Sequence, residues 1–402
     1  MGRSPQPLVR VDDRLGALHI GRMILREASW LSLLVSTRGT VLSRIWLRIV
    51  LITLVALVIT WLHLEEGWFE RSLTPLPFTL IGLALGIFLG FRNNTSYDRF
   101  WEGRKLWGAL VNASRSLTRQ ILTLIDLRAE ASAGKTPDPV HRELVHRHIA
   151  YVHCLRHHLR DQREALPELS ELLSASELSA LEAEHNRPVA LLQWQADRFV
   201  ELFRNGSISE YHLPVLEASL TELTGIQGGC ERIKSTPIPY SYTVLIHRLV
   251  AFYCFALPFG IADAVGMFTP LVALMVSYAF LGLDAIGDEI EEPFGLDVND
   301  LPLTTLSRMI EVNLRQRLGE HPLPPLMTAE DGWPADLARA PIASAPPAER
   351  QTRSWPAGPR CRSSRSFSPS EARRRSLSRG RWTSGAPAPP TRPGNLRGCR
   401  WK

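Results

Sequence analysis

Cysteine is scarce and scattered: the chain has five, Cys154, Cys230, Cys254, Cys361 and Cys399, with no CxxC pair among them. That spacing supports neither a zinc site nor a disulfide framework, and it suits a reducing cytosol. Catalytic signatures are missing as well. No GxSxG, HExxH, Walker loop or GxGxxG in strand–turn–helix context occurs, so an enzyme is not indicated. Strand signals are few. No signal peptide is expected ahead of the first apolar run, because the opening residues to about Leu42 are polar and mixed.

Basic charge is present but misplaced for a nucleic-acid binder. The formal net charge is +6, yet residues 351–402 carry thirteen Arg or Lys against the one acid Glu371, a net of +12 that leaves −6 for residues 1–350. The body of the chain is acidic, and no nucleic-acid partner is expected. Beyond about Leu326 the composition turns to Ala, Pro, Ser and Arg without aliphatic periodicity. That texture predicts a disordered basic tail over residues 327–402.

Long apolar runs are what the sequence has instead. They lie at Ile45–Leu62, Leu76–Phe91 and Leu249–Leu283, and runs of about 18 apolar residues are candidate membrane helices. Arg44 and Arg48 flank the start of the first run, and Arg92, Arg99, Arg104 and Lys105 follow the second. By the positive-inside rule both of these ends are cytoplasmic, with Arg48 snorkelling to the inner interface. Trp61 and Trp68 suit an external connection. The third run is too long for one span, and Pro258, Gly260, Asp263, Gly266 and Pro270 divide it into two helices with Asp263 in an external turn. Four crossings leave both termini in the cytoplasm. Between the second and third runs, from about Phe100 to Tyr240, apolar residues recur at helical spacing, which predicts a soluble helical domain.

Within the second run, "PFTLIGLALGIFLGFRNNTSYDRFW" carries two ridges before it turns into a polar loop. Gly82, Gly86 and Gly90 recur every fourth residue, with Leu83, Ile87 and Phe91 one step behind. A four-residue step on an α-helix drifts only about 40°, so each ridge keeps to one face. The glycines allow close approach of neighbouring membrane helices. Two readings remain open from spacing alone. Either the glycines pack a helix pair with Ile87 in its core, or several copies pack through them and turn Leu83, Ile87 and Phe91 towards a shared axis. A ring of that kind is a hydrophobic constriction that gates by dewetting. Arg92, Asn93, Asn94 and Ser96 then fall at its wet inner mouth.

Four blocks carry a family resemblance: "TRGTVLSRIW" (Thr37–Trp46), "LGIFLGFRNNTSYDRFWEGRKLWG", "GGCERIKSTPIPYSYTVLIHRLVAFYCFALPFG" (Gly228–Gly260) and "EIEEPFGLDVNDLPL" (Glu289–Leu303). In this order and spacing the chain resembles the bestrophin family, specifically its bacterial branch, over about Arg22–Leu318. The resemblance implies an all-α membrane protein with four transmembrane helices per subunit and a cytosolic helical domain, assembled as a homopentameric ion channel around one central pore. It implies segments 1–44 (N-terminal, cytosolic), 45–92 (two membrane helices), 93–244 (cytosolic), 245–287 (two membrane helices) and 288–326 (acidic, cytosolic), followed by the tail. The family's neck positions fall on Leu83, Ile87 and Phe91. Animal relatives favour Phe at the middle position and conduct anions; Ile87 matches bacterial relatives, at least one of which behaves as a cation channel. Monovalent ions, chloride or other anions by family label or cations such as sodium, are therefore the expected cargo. The bilayer of the bacterial inner (plasma) membrane is the expected location. A second constriction at the cytosolic exit falls within "GSISEYHLP", with Ile208 the first candidate and Tyr211 or Leu213 the alternatives.

The residues indicate no cofactor by themselves. Clustered carboxylates in "DEIEEPFGLDVND" are the ligand chemistry of a hard cation. The resemblance to the calcium clasp of animal bestrophins puts Glu289, Glu292, Asp297 and Asp300 at its positions. The bland reading is a solvated acidic loop. His146, His153 and His157, with His158 beside them, share a helical face, and polar packing in a bundle accounts for them better than a metal site. A membrane-anchored scaffold with a partner-binding helical domain is the alternative to a channel.

Overall fold

The computed structural model describes residues 40–65, 74–127, 138–162, 167–297 and 299–326. The opening segment, the connection carrying Trp68 and the tail after Leu326 lie outside the described residues. Nine α-helices are present among the described residues, with no strand beyond an isolated antiparallel bridge between Ile125 and Ile208. The helices are α1 (Leu42–Glu65), α2 (Pro75–Leu124), α3 (Pro139–Leu159), α4 (Ala175–Ala183), α5 (Arg187–Arg204), α6 (Leu213–Ser235), α7 (Tyr240–Val265), α8 (Thr269–Glu291) and α9 (Leu303–Arg317). A short 3-10 turn at Pro167–Glu171 precedes α4, and another at Gly266–Phe268 separates α7 from α8.

Helix α2 is the element that organises the rest. It runs 50 residues from a start carrying Pro75 and Pro77, about 75 Å at 1.5 Å per residue. A bilayer core of about 30 Å takes roughly 20 of those residues. The polar loop expected after Phe91 does not exist: Arg92–Arg99 stays helical, so the expected boundary between residues 92 and 93 falls inside an unbroken helix. Asn, Ser and Thr weaken a helix only by tenths of a kcal/mol each, and packing overrides them.

Two cores form along this one rod. At its start, α1, α2, α7 and α8 bury Ile45, Ile49, Ile52, Leu85, Leu89, Ile246, Val250, Cys254, Leu257 and Leu281 against one another. Three stretches, Leu42–Glu65, Pro75–Leu124 and Tyr240–Glu291, are long and apolar enough to cross a membrane. The third is the α7–turn–α8 hairpin. Direction alternates through the group. His63 at the end of α1 meets Asp263 at the end of α7 at 3.1 Å, so these two run parallel. Gly260 of α7 lies against the Phe78 ring and Gly82 against Tyr253, so α2 runs the other way beside α7.

The α7–α8 break is narrower than the sequence suggests. Pro258 and Gly260 sit inside continuous helix, and Pro270 starts α8. Only Gly266, at φ +59°, reverses the chain; the left-handed region costs glycine little. Asp263 thus belongs to the last turn of α7 rather than to the turn itself, and His63 is its partner.

The rest of α2 runs into a second core with α3, α5, α6 and α9, built on Trp107, Leu110, Leu117, Ile121, Leu144, Ile149, Phe199, Leu216, Leu223 and Leu314. Local chemistry sets the helix ends here. Asp138 caps α3 by accepting from the Val140 N–H at 2.9 Å, and Arg156 occupies the last turn, where a cation suits the dipole. Ser174 and Glu177 form a capping box at the start of α4.

Candidate functional site

Among the described residues the bulky ridge of α2 is left largely uncovered. Leu83, Ile87 and Phe91 are 65 %, 51 % and 61 % exposed, while Leu85 and Leu89 on the other side of the helix are buried. The glycine ridge divides. Gly82 touches Tyr253, whereas Gly86 and Gly90 have no heavy atom within 4 Å of where a Cβ would stand. The helix pair that would have placed Ile87 in a core is therefore absent from the described subunit. An apolar face of this kind requires lipid or another copy to cover it.

One residue beyond Phe91 the chemistry reverses. Arg92, expected at a wet pore mouth, is completely buried. Its Nη1 donates to Asp284 Oδ1 at 2.8 Å and to the Asp284 carbonyl at 3.3 Å, and its Nη2 donates to Asp288 Oδ1. Glu291 Oε2 stands 3.7 Å away. On the other side of Asp284, His247 of α7 pairs through Nδ1 with Oδ2 at 2.6 Å, and its Nε2 lies 3.5 Å from Asp288. Arg92 turns inwards because helical spacing aligns it with Leu85, Leu89 and Ser96, the buried side of α2. Asn93, half-buried, donates to the Leu283 carbonyl at 3.1 Å and packs on Gly287. Of the predicted mouth residues only Asn94 is exposed.

A second tie lies two turns further along α2. Arg99 donates to the Glu291 carbonyl at 3.0 Å, to the Ile233 carbonyl at 2.6 Å and to the Thr236 carbonyl. It thereby satisfies the ends of α6 and α8, whose last carbonyls have no partner within their own helices. Glu291 Oε1 accepts from the Ile238 N–H at 3.1 Å. The close approach of Phe294 and Pro293 to Gly103 seats the following loop on the same rod.

In the loop between α5 and α6 the expected aperture residue is misplaced. Ile208 is 2 % exposed and pairs with Ile125 across the isolated bridge, so it is a core residue. Tyr211, three residues on, is 78 % exposed, and Leu213 is half-buried. A lone apolar residue in a polar loop more often plugs the core beneath it than faces solvent.

Comparison with known proteins bears on this arrangement. The family described as bacterial/fungal bestrophin protein matches residues 23–316. The chain belongs to that family. This bestrophin is 43 % identical over 299 residues to a voltage-dependent anion channel-forming protein of Ralstonia nicotianae, covering 74 % of this chain and 95 % of the relative. To the voltage-dependent anion channel-forming protein YneE of Escherichia coli it is 35 % identical over 303 residues, 75 % of this chain and 96 % of the relative. The crystal structure of a bacterial bestrophin homologue from Klebsiella pneumoniae superposes with a TM-score of 0.63 at 34 % identity, over 69 % of this chain and 100 % of the other.

In the acidic loop of this bestrophin, protein groups engage most of the carboxylates expected at a calcium clasp, while Asp300 Oδ1 is buried without a hydrogen-bond partner among the described residues. Glu289 accepts from Asn299 at 2.8 Å, Asp297 pairs with Arg44 at 2.9 Å, and Asp300 accepts from the Asp297 N–H at 2.7 Å. Glu292 is exposed. Among the described residues no three His, Cys, Asp or Glu side chains converge as a metal site. Glu289, Asp297 and Asp300 tie the loop together. Burial, ahead of neighbouring carboxylates, pushes the Asp300 carboxyl up to about 7.

The histidines are packed rather than ligating. His153 is fully buried between Glu311, at 3.0 Å, and Glu168, at 3.3 Å. His146 meets Glu320 at 2.8 Å and His158 meets Glu231 at 3.1 Å. Burial and the adjoining Arg156 hold His157 down to about 4. The residues that sequence reasoning missed are His247 and Asp284. Both are ionisable groups just beyond the ends of the apolar run Leu249–Leu283 and within the membrane-length stretch Tyr240–Glu291, where an ionisable residue is a functional candidate.

Proposed function

We propose that five copies of this chain assemble around one axis as a channel of the bacterial inner (plasma) membrane, and that the channel conducts monovalent anions passively. In this reading α1, the start of α2, α7 and α8 cross the bilayer as four spans, both termini are cytoplasmic, and α3–α6 with α9 form the cytosolic part. Leu83, Ile87 and Phe91 line a hydrophobic neck. The carrying observation is that this ridge is exposed while the opposite face of the same helix is packed. Gly86 and Gly90, open on the flank, admit a neighbouring copy at close range. Anions are favoured over cations because both relatives described above are named as anion channel-forming proteins. Tyr211 is the residue assigned to the cytosolic constriction, since a side chain at an aperture must be exposed in the isolated subunit.

The test is purified protein in a planar bilayer under a KCl gradient. A reversal potential near the chloride equilibrium value is the expected result. A value near the potassium equilibrium potential overturns the selectivity, and silence at all voltages overturns the channel.

A further inference from the structure

The buried charge cluster has no part in the conduction just described, yet it adjoins the ridge directly. Arg92 follows Phe91 in sequence, about 100° further round the helix, on the side that also buries Leu85 and Leu89. Its guanidinium is anchored to α8 through Asp284 and Asp288, and Asp284 is anchored in turn to α7 through His247. An ionic contact with fixed geometry on one side of a helix fixes the rotation of its other side.

We propose that Arg92 is the positioning residue of the neck, and that His247 sets how firmly the Asp284–Asp288 pair holds it. The proposal rests on the reading of Leu83, Ile87 and Phe91 as that neck. The charge count supports it. Asp284 and Asp288 face one permanent cation, Arg92, and one conditional cation, His247, with Glu291 at the margin. With a neutral imidazole the two aspartates share a single positive charge. With an imidazolium each has its own, and α2, α7 and α8 are tied through a balanced cluster. Imidazole is the side chain whose unperturbed charge change lies nearest neutral pH, and here it is set by the two aspartates it touches. His247 is the open member of the cluster, its side chain being 30 % exposed in the subunit, whereas Asp284 is 4 % and Arg92 0 % exposed.

Charged groups on the elements packed around His247 are accounted for. From α8 come Asp284 and Asp288, and from α2 comes Arg92. On α1, Arg44 is taken by Asp297 and Arg48 is exposed. Arg248, next to His247 on α7, is exposed as well. Removing the charge of His247 therefore acts on the two aspartates and, through them, on Arg92.

The experiment measures macroscopic current of the full chain in planar bilayers while the pH on the cytosolic side is stepped from about 6 to about 10. The wild type is expected to change its current across that range, and His247→Gln, which keeps a polar side chain without the charge, to bring the ratio of the two currents to about one. Asp284→Asn is expected to flatten the profile in the same way, and the double variant to add nothing further. A wild type with no pH response, or a His247→Gln variant that keeps the full response, overturns the proposal. Should Asp284→Asn fail to assemble on size-exclusion chromatography, the partly exposed His247 variant still decides the question. Ile87→Ala separates the two layers. Altered conductance in Ile87→Ala with an undiminished pH response in His247→Gln removes the clamp alone, whereas unaltered conductance in Ile87→Ala removes the neck and the clamp together.

Discussion

The two halves of the molecule each bury one cluster of charge, and the clusters have opposite sign at their centres. Beside the apolar ridge, one guanidinium, Arg92, is met by three carboxylates from α8. In the second core, one carboxylate, Glu311, is met by three nitrogen groups: Arg308 at 2.8 Å, Arg315 at 3.0 Å and His153 at 3.0 Å. Arg156 reinforces the latter by pairing with Glu168 at 2.7 Å and donating to Ser307 at 3.0 Å. The second cluster joins α9 to α3 and the 3-10 turn, elements whose apolar faces are already covered within the chain. The first joins α7 and α8 to a helix whose other face is bare. Buried ion pairs do not by themselves stabilise a fold, because desolvation opposes the attraction, but breaking one leaves an unpaired buried charge. The contrast teaches that the same device fixes structure where neighbours are complete and fixes orientation where they are not.

The contrast can be broken most forcefully at Glu311. Glu311→Gln leaves Arg308 and Arg315 short of a counter-charge, and a loss of about 3–5 kcal/mol is expected, read as a lowered thermal midpoint in detergent. Current per assembled channel should be unchanged; a changed reversal potential would place Glu311 in the ion path.

Next in size is an acid effect confined to the second core. His148 is buried, stacks on Tyr151 with ring centroids 5.8 Å apart, and is held down to about 4 by burial. The folded state therefore resists protonating it, and stability is lost as pH falls from 6.5 towards about 4. The span is worth at most about 3 kcal/mol. Burial is the largest single influence at both Glu168 and Glu311 and raises them. Arg156, His153 and His157 together at Glu168, and His153, Arg308 and Arg315 together at Glu311, more than offset it, so both carboxyls lie below their ordinary value. The stability they contribute is present above pH 4.5 and is lost as pH falls through their lowered values. His148→Phe should shift the acid unfolding midpoint downwards; an unmoved midpoint would assign acid lability elsewhere.

The two faces of α2 separate on a smaller scale. Leu89→Ala opens a cavity and should cost towards the lower end of about 2–5 kcal/mol, since lipid supplies no hydrophobic drive between helices. Ile87→Ala should cost the isolated subunit less than about 0.5 kcal/mol while enlarging single-channel conductance. Equal stability losses at the two positions would place both in one core. Smallest of all is Tyr211→Ala, with no stability change and an altered ion preference; an unaltered preference returns the aperture to another residue.

How much of this was legible in sequence depended on distance along the chain. The ridge of Leu83, Ile87 and Phe91 is a local pattern of four-residue steps, and its solvent-side placement within the subunit agrees with that spacing. Arg92 was misjudged because an arginine after an apolar run reads as an interface anchor, and its partner Asp284 lies 192 residues away. Asn, Thr and Ser after Phe91 suggested a loop, but contacts from Arg92, Asn93 and Arg99 to α6 and α8 keep the segment helical. Ile208 could not be told from Tyr211 because burial in a loop is decided by what lies beneath it, here Ile125. The acidic loop looked like a ligand set because composition does not reveal that Arg44, Asn299 and a backbone N–H already occupy its carboxylates.

Helix α2 also has a mechanical meaning. Its prolines are confined to the first turn, so no hinge interrupts the segment between Phe91 and Ile121. A twist applied by α6 or α9 near Ile121 travels up a torsion bar instead of dissipating at a joint. Whatever docks on the distant part of the bundle thus has a rigid shaft by which to turn the apolar ridge.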